Sequence, residues 1–458
     1  MIDPAVSSRG KVRQQTAGLK LEEIAIIVLF LTVTLDNLNL TGHASMTGTD
    51  ITPAKLATLV ALGFWIGRGL LTKDPRLFST IFNNPTSFFI GAFIAISMLS
   101  IINVTYQQPV PGAPSPWVLV ARRVSYFLLY CVVISVVRNR KVLEYALLAL
   151  VIGGIATCLA GTYEMITGEQ FLKAIPTGRE VLVTTKIGAV RVQGLESDAD
   201  VQATFLVFGL AFLLYFFYRS SSWQKMGFFI LVILYVANII ATGARGAWVG
   251  LGLILLLYLL LLNDPRKWKV FGISCLLALV VFVALTLNPN TITLEKLKLG
   301  VSPATQQRVG WILMGWEMVK DHPFLGIGTA GFPNSWYRYF PVASSMLPNR
   351  PLDCVNGYMK VWAENGTIGL LIFLLLLFSV LFEVWSVSRR IPQADGKTLG
   401  IAVLIAYAAI LWTLAVFPVL DGKYMWLSIG LCIAYSNIFR QGTTEKKSTS
   451  EEIHRWEN

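Results

Sequence analysis

The chain reads as an all-α polytopic membrane protein with about twelve spanning helices and one large outward-facing loop. Three observations predict this. Of its 458 residues, 55% are hydrophobic and only 14% charged, and the mean hydropathy is +0.62, far from the balance of soluble domains. Apolar runs long enough to cross a bilayer recur along the whole length. Lysine and arginine crowd the connections on one side and are missing from the short loops of the other.

The runs place spans near 22–40, 53–72, 86–105, 117–137, 142–165, 199–218, 224–241, 246–263, 268–288, 364–388, 399–419 and 422–439. A stretch such as Val249 to Leu262 is apolar all round and needs lipid, or a very large protein, about it. The first run is too long for a cleavable signal peptide and has no small-residue cleavage site, so it is expected to stay as a span. The basic side collects Arg9, Lys11, Arg13 and Lys20, then Arg68, Lys73 and Arg76, then Arg138, Arg140 and Lys141. It continues with Arg219, Lys225, Arg266, Lys267, Lys269, Arg389, Arg390, Lys397 and Arg440, whereas Asn39 to Asp50 and Thr105 to Pro116 hold no lysine or arginine. Both termini are therefore expected in the cytoplasm and the long loop outside. The net charge of +12 follows from this topology and calls for no nucleic-acid partner.

The organisation expected is a single membrane domain over 1–458. Residues 166–198 form a first outer segment, 289–363 a large outer loop with short helices, and 441–458 a solvated tail rich in Ser, Thr, Glu and Lys. Within the loop, Val309, Ile312, Leu313, Trp316 and Met318 repeat like an amphipathic helix lying on the membrane. Pro323, Pro333, Pro341, Pro348 and Pro351 then break the chain into short pieces. Cys131, Cys158, Cys275 and Cys432 fall in apolar runs and only Cys354 lies outside them, which offers neither an intrachain disulfide nor a zinc site.

A pure transporter has little use for so large an insert, whereas an enzyme acting on a lipid-linked substrate at the membrane face does. Three arginines should lie at the outer face: Arg191 before Gly194, Arg245 within Gly243-Ala244-Arg245-Gly246, and Arg308 at the start of the loop helix. Guanidinium groups bind diphosphate bidentately and keep their charge, so the set suits an anionic substrate. Lipid anchoring is the blander role for each. Asp198 and Asp200 fit helix capping better than metal binding. His322 sits in a turn between Asp321 and Pro323, and Asp353 is a candidate general base for a hydroxyl nucleophile. Glu364 stands at a span start, able to cap it or to orient an arginine. No phosphate loop, Ser-His-Asp grouping or metal cluster is visible, so no metal and no cofactor are expected.

Taken in order, these motifs resemble a family. Arg191-Val192-Gln193-Gly194 with Asp198, Gly243 to Gly246, Arg308 with Trp311, Asp321-His322-Pro323-Phe324-Leu325-Gly326-Ile327-Gly328, and Asn356 to Gly369 look like the signatures of the O-antigen ligase and polymerase family. The resemblance implies a GT-C-like inner-membrane glycosyltransferase that works on the periplasmic face by inversion, without nucleotide sugar or metal. Its donor would be a glycan on undecaprenyl diphosphate, held by residues matching Arg191, Arg245 and Arg308, and its acceptor a glycan or lipid A-core. Gly326, Gly328, Asn356 and Gly366 would shape the loop, and Asp353, His322 and Glu364 are the catalytic candidates. Ligases of the family usually carry a histidine just before the asparagine matching Asn356. Here that position is Val355. Either Asp353 or His322 substitutes, or the acceptor differs, and the substitution favours a polysaccharide polymerase over a ligase. An anion or glycolipid transporter is the reading from another class, and it requires ionisable residues deep within the spans.

Overall fold

The computed structural model describes residues 19–35, 52–72, 81, 84–104, 110, 113–174, 191–262, single positions between 268 and 283, 303–417 and 419–457, with backbone alone for 303–304 and 441–457. Among the described residues the structure is helical and has no strand. The chain is a multi-pass membrane protein. Among the described residues, eight helices are long and apolar enough to cross a bilayer. They are α2 (Pro53–Thr72), α3 (Pro85–Ser100), α4 (Pro116–Val136), α5 (Arg140–Thr167), α6 (Ala199–Arg219), α7 (Ser222–Ala241), α12 (Gly357–Arg390) and α13 (Ala394–Val416). The described parts of α1 (Leu21–Thr32) and α8 (Arg245–Leu261) are shorter, and α14 (Lys423–Glu457) joins an apolar first half to a polar second half. The run expected at 268–288 falls mostly outside the described residues.

One core runs through the bundle, and α6 and α13 are its most enclosed spans. Charged side chains gather at the ends. At one end Glu144 binds Arg140 at 2.8 Å and Arg219 at 2.5 Å, Glu383 binds Arg440 at 2.9 Å, and Glu22 binds Arg68. These pairs place ions where water reaches them instead of along a path through the bundle.

The large loop builds a small core of its own at the other end. Its helix α9 (Pro303–Asp321) buries Trp311, Met314 and Met318 against Phe332, Trp336, Leu347 and Cys354. Phe332 and Trp336 come from the one-turn helices α10 (Gly331–Asn334) and α11 (Trp336–Tyr339). Val309, Ile312, Leu313 and Trp316 form the exposed apolar face of α9. Met318, expected on that face, instead fills the loop core.

A break in α12 is the feature that positions the site. Gly366 has φ 67° and ψ −172°, a conformation open essentially to glycine alone. An unbroken helix would bond the amides of Thr367 and Ile368 to the carbonyls of Ala363 and Glu364. Here those four groups bond the loop. The Thr367 and Ile368 amides donate to Pro323 and Phe324 carbonyls at 2.8 and 3.3 Å, and Ile327 and Gly328 amides donate to Ala363 and Glu364 carbonyls at 2.9 and 3.0 Å. Those four groups of the interrupted ladder are thereby satisfied by the Pro323–Gly328 turn. The segment 357–365 is an extra helical piece before the span expected at 364–388.

Candidate functional site

Two charged clusters occupy the loop end of the bundle. The first is built on Arg191. Its segment is clamped to α5, because Glu164 accepts from the amides of Gln193 and Gly194 at 2.7 and 3.1 Å and Thr157 accepts from Leu195 at 3.0 Å. Gly194 has φ +57°, and a Cβ there would lie 2.6 Å from the Thr157 carbonyl. Held this way, the Arg191 guanidinium reaches Asp200 at 2.5 Å and the Thr242 carbonyl at 3.0 Å. Thr242 ends α7, and Gly243, at φ 64°, turns the chain so that Arg245 opens α8.

Arg308 on α9 completes the cluster. Burial lowers its pKa, Asp200 acts in the opposite sense, and Arg245 and Arg191 lower it further. Arg191, Arg245 and Asp200 thus all lie within electrostatic reach of Arg308. Asp198 caps α6 by accepting from the Asp200 amide at 2.6 Å, whereas Asp200 serves as the Arg191 partner and not as a second cap. Burial, then the Asp200 charge, raise the Asp198 carboxyl, with the Asp200 amide and Arg191 opposing.

The second cluster lies among α3, α4, α12 and the turn between α13 and α14. Lys360 binds Asp353 at 2.6 Å and Asp421 at 2.8 Å. Arg123 reaches Asp421 at 3.3 Å and the Ser97 hydroxyl at 2.6 Å, and its guanidinium lies 5.0 Å from the Phe93 ring centroid. Its remaining nitrogen faces Glu364 at 3.9 Å. Burial would raise the Asp421 carboxyl, but Lys360 and Arg123 outweigh it and hold Asp421 well below the usual carboxylate range.

The expected catalytic residues part company here. Glu364 is fully enclosed. One of its oxygens accepts from the Phe332 amide at 3.2 Å and the other faces Arg123, so it fixes the start of α10 and orients an arginine. Asp353 keeps 39% of its side chain exposed and is the accessible carboxylate of the cluster. His322 is half-buried, and its backbone closes the turn by donating to Met318 and accepting from Gly326. Asn356 caps α12 by accepting from the Met359 amide at 2.9 Å. Gly326 has φ +72°, and a Cβ on it would lie 2.4 Å from the Glu364 carbonyl carbon; one on Gly328, at φ +101°, would lie 2.9 Å from the Ser100 carbonyl oxygen. Next to Glu364, Asn365 donates to Ser100 and Thr329 at 3.0 and 3.1 Å, which ties α3 to the turn. Cys354 is buried, and burial pushes its thiol up to about 12.

Sequence reasoning missed Arg123, Lys360 and Asp421 as site residues. The signal available was a pair of adjacent arginines, Arg122 and Arg123, inside an apolar run, which is expensive unless paired. Asp421, in the turn between two spans, is the partner that position called for.

The turn from Phe417 to Tyr424 joins the two clusters. Val416 and Phe417 pack against Gly246, beside Arg245. Asp421 holds Arg123 and Lys360, and the Tyr424 hydroxyl donates to buried Glu196, in the segment that carries Arg191.

The fold is thus a helical membrane bundle with an extramembrane loop docked into a broken span and guanidinium groups beside that loop. Residues 229–374, about a third of the chain, match the family model described as O-antigen ligase. An uncharacterized protein of Haemophilus influenzae is 21% identical over 198 residues, which cover 40% of this chain and 49% of that protein. The match thus spans about half the length of that curated relative.

Proposed function

We propose that the chain is an inverting glycosyltransferase that polymerises glycan repeat units carried on undecaprenyl diphosphate at the periplasmic face of the inner membrane. The observation that carries this reading is the convergence of Arg191 and Arg245 on Arg308, with Asp200 paired to Arg191 beside them. A diphosphate entering there relieves guanidinium repulsion and gains bidentate hydrogen bonds. As the glycosidic bond to the diphosphate breaks, the electron pair moves to the phosphate oxygen, where the fixed positive charge stabilises it. The acceptor hydroxyl attacks the anomeric carbon from the opposite face and loses its proton to Asp353, the carboxylate open to solvent. Lys360 holds Asp353 in position through a 2.6 Å hydrogen bond.

An apolar cavity of about 550 Å³ between α8, α12 and α13 supports the lipid part of the reading. Its first lining residue on α8, Leu257, lies about 18 Å along the helix from Arg245. A long prenyl chain can run that distance with its diphosphate at the arginines.

A ligase, with lipid A-core as acceptor, is the second reading. The description of the matching family model favours it, and Val355 at the position of the family histidine favours the polymerase. The test is to incubate purified protein with a defined lipid-diphosphate oligosaccharide and to weigh the products. Longer glycans on the lipid are expected, with loss of product when Arg191, Arg245 or Arg308 is changed to Ala. Normal product in all three variants would overturn the reading. In cells, loss of a polymerase leaves single units, and loss of a ligase leaves long unattached chains.

A further inference from the structure

We infer that a second, separate lipid site, for the phosphate-bearing membrane anchor of the acceptor, lies between α1, α2, α4 and α14. This rests on the transferase reading for the acceptor role alone; the lipid binding itself rests on the cavity. A cavity of about 410 Å³ is bounded by these four helices. It is built like an amphiphile. Lys55, Arg122 and Lys423 line one end of it, near the starts of α2, α4 and α14. Leu62, Leu129 and Leu427, one to two turns further along the same three helices, form its apolar wall.

All three cations lie at the same end of the bundle. Arg68, at the far end of α2, pairs with Glu22, and α4 ends at the turn before Arg140, so Lys55 and Arg122 sit opposite the cluster formed by Arg140, Glu144 and Arg219. Lys423 follows Asp421 and Gly422 directly. A phosphate at that end and a hydrocarbon chain on the wall match this polarity, whereas a soluble anion would leave the wall uncovered. The side toward the bilayer is open. Only 17% of the α2 span is buried by its neighbours, and Leu59, on the cavity lining, is 66% exposed.

The cavity also adjoins the ionic network. Tyr126 lines it and donates to the Asp421 carbonyl at 3.0 Å, and the Arg122 charge acts on the Asp421 carboxyl. Along α14, Lys423 faces the cavity while Tyr424 reaches Glu196 in the segment that carries Arg191. A glycan anchored at that end therefore starts one residue away from the turn that joins both clusters. The arginine cluster belongs to α6, α8 and α9, so the two lipids occupy different faces of the molecule.

The test uses full-length protein in detergent and native mass spectrometry, with undecaprenyl phosphate as probe and uncharged undecaprenol as control. Wild type is expected to take up two phosphate lipids and the Arg122→Ala/Lys423→Ala variant one, with about fivefold weaker binding for each single charge removed. Leu59→Trp, on an exposed surface where the fold is not at stake, is expected to block the same uptake. Equal uptake of undecaprenol, or wild-type stoichiometry in all these variants, would overturn the proposal. In turnover assays the variants should raise KM for the lipid-linked acceptor and leave kcat and the donor KM unchanged; a changed donor KM alone would also overturn it. If wild-type protein makes no glycan product while cavity binding persists, the transferase reading fails and the lipid site stands.

Discussion

At the scale of single residues, the site divides into charges that face a ligand and charges that face each other. Arg308 is the clearest of the first kind, since neighbouring guanidinium groups already press on it and an incoming phosphate relieves that pressure. Arg308→Ala should lower kcat/KM for glycan transfer by about 10²–10³. Arg308→Lys should recover only part, because an ammonium lacks the bidentate fork; steady-state kinetics with a defined donor would check both. Asp421 is of the second kind. Asp421→Asn removes the carboxylate that Lys360 and Arg123 share in a buried site and should destabilise the protein by about 3 kcal/mol, read as thermal unfolding in detergent. Since the fold depresses the Asp421 pKa, its contribution is present above the unfolded value of about 3.9 and is lost as the pH falls from there toward the folded value. The stability of wild type and of Asp421→Asn should therefore converge in acid. Asp353→Asn should leave donor binding intact and lower kcat by about 10²–10⁴, measured by single-turnover assays.

At the scale of elements, the broken α12 and the turn inserted into it form one unit. Gly366→Ala should be among the most damaging single substitutions in the loop. Its Cβ would sit 2.2 Å from the Phe324 carbonyl oxygen, in a backbone conformation that alone costs about 1–3 kcal/mol. The expected result is poor accumulation in membranes and a lowered unfolding midpoint, while alanine at Gly227, which meets nothing within 4 Å, should fold normally. This unit also marks how far the sequence could be read. The spans were legible because apolar runs and basic connections report on lipid and water directly, and the glycines were legible as turn formers. The helical segment 357–365 was not, because its polar residues look like loop until the Pro323–Gly328 turn supplies the missing hydrogen-bond partners. The same long-range pairing hid Lys360 and Asp421, which lie 61 positions apart in the chain and 2.8 Å apart in the fold.

At the scale of the whole molecule, the turn at 417–424 is where the arginine cluster, the buried ionic network and the cavity of α2, α4 and α14 adjoin. Tyr424→Phe removes the hydroxyl that ties this turn to Glu196. It should raise the donor KM by weakening the seat of Arg191, with little change in the binding of undecaprenyl phosphate by the Lys423 cavity, as separate titrations would show.

The interruption at Gly366 has a directional consequence. A continuous rod would index the side chains of residues 357–365 to the rotation of the bundle below, so any change in acceptor preference would require repacking lipid-facing helices. With the rod severed and its upper piece spliced to the extramembrane turn, the heading of Lys360 and Glu364 is set by that turn and not by the helical phase of the span below.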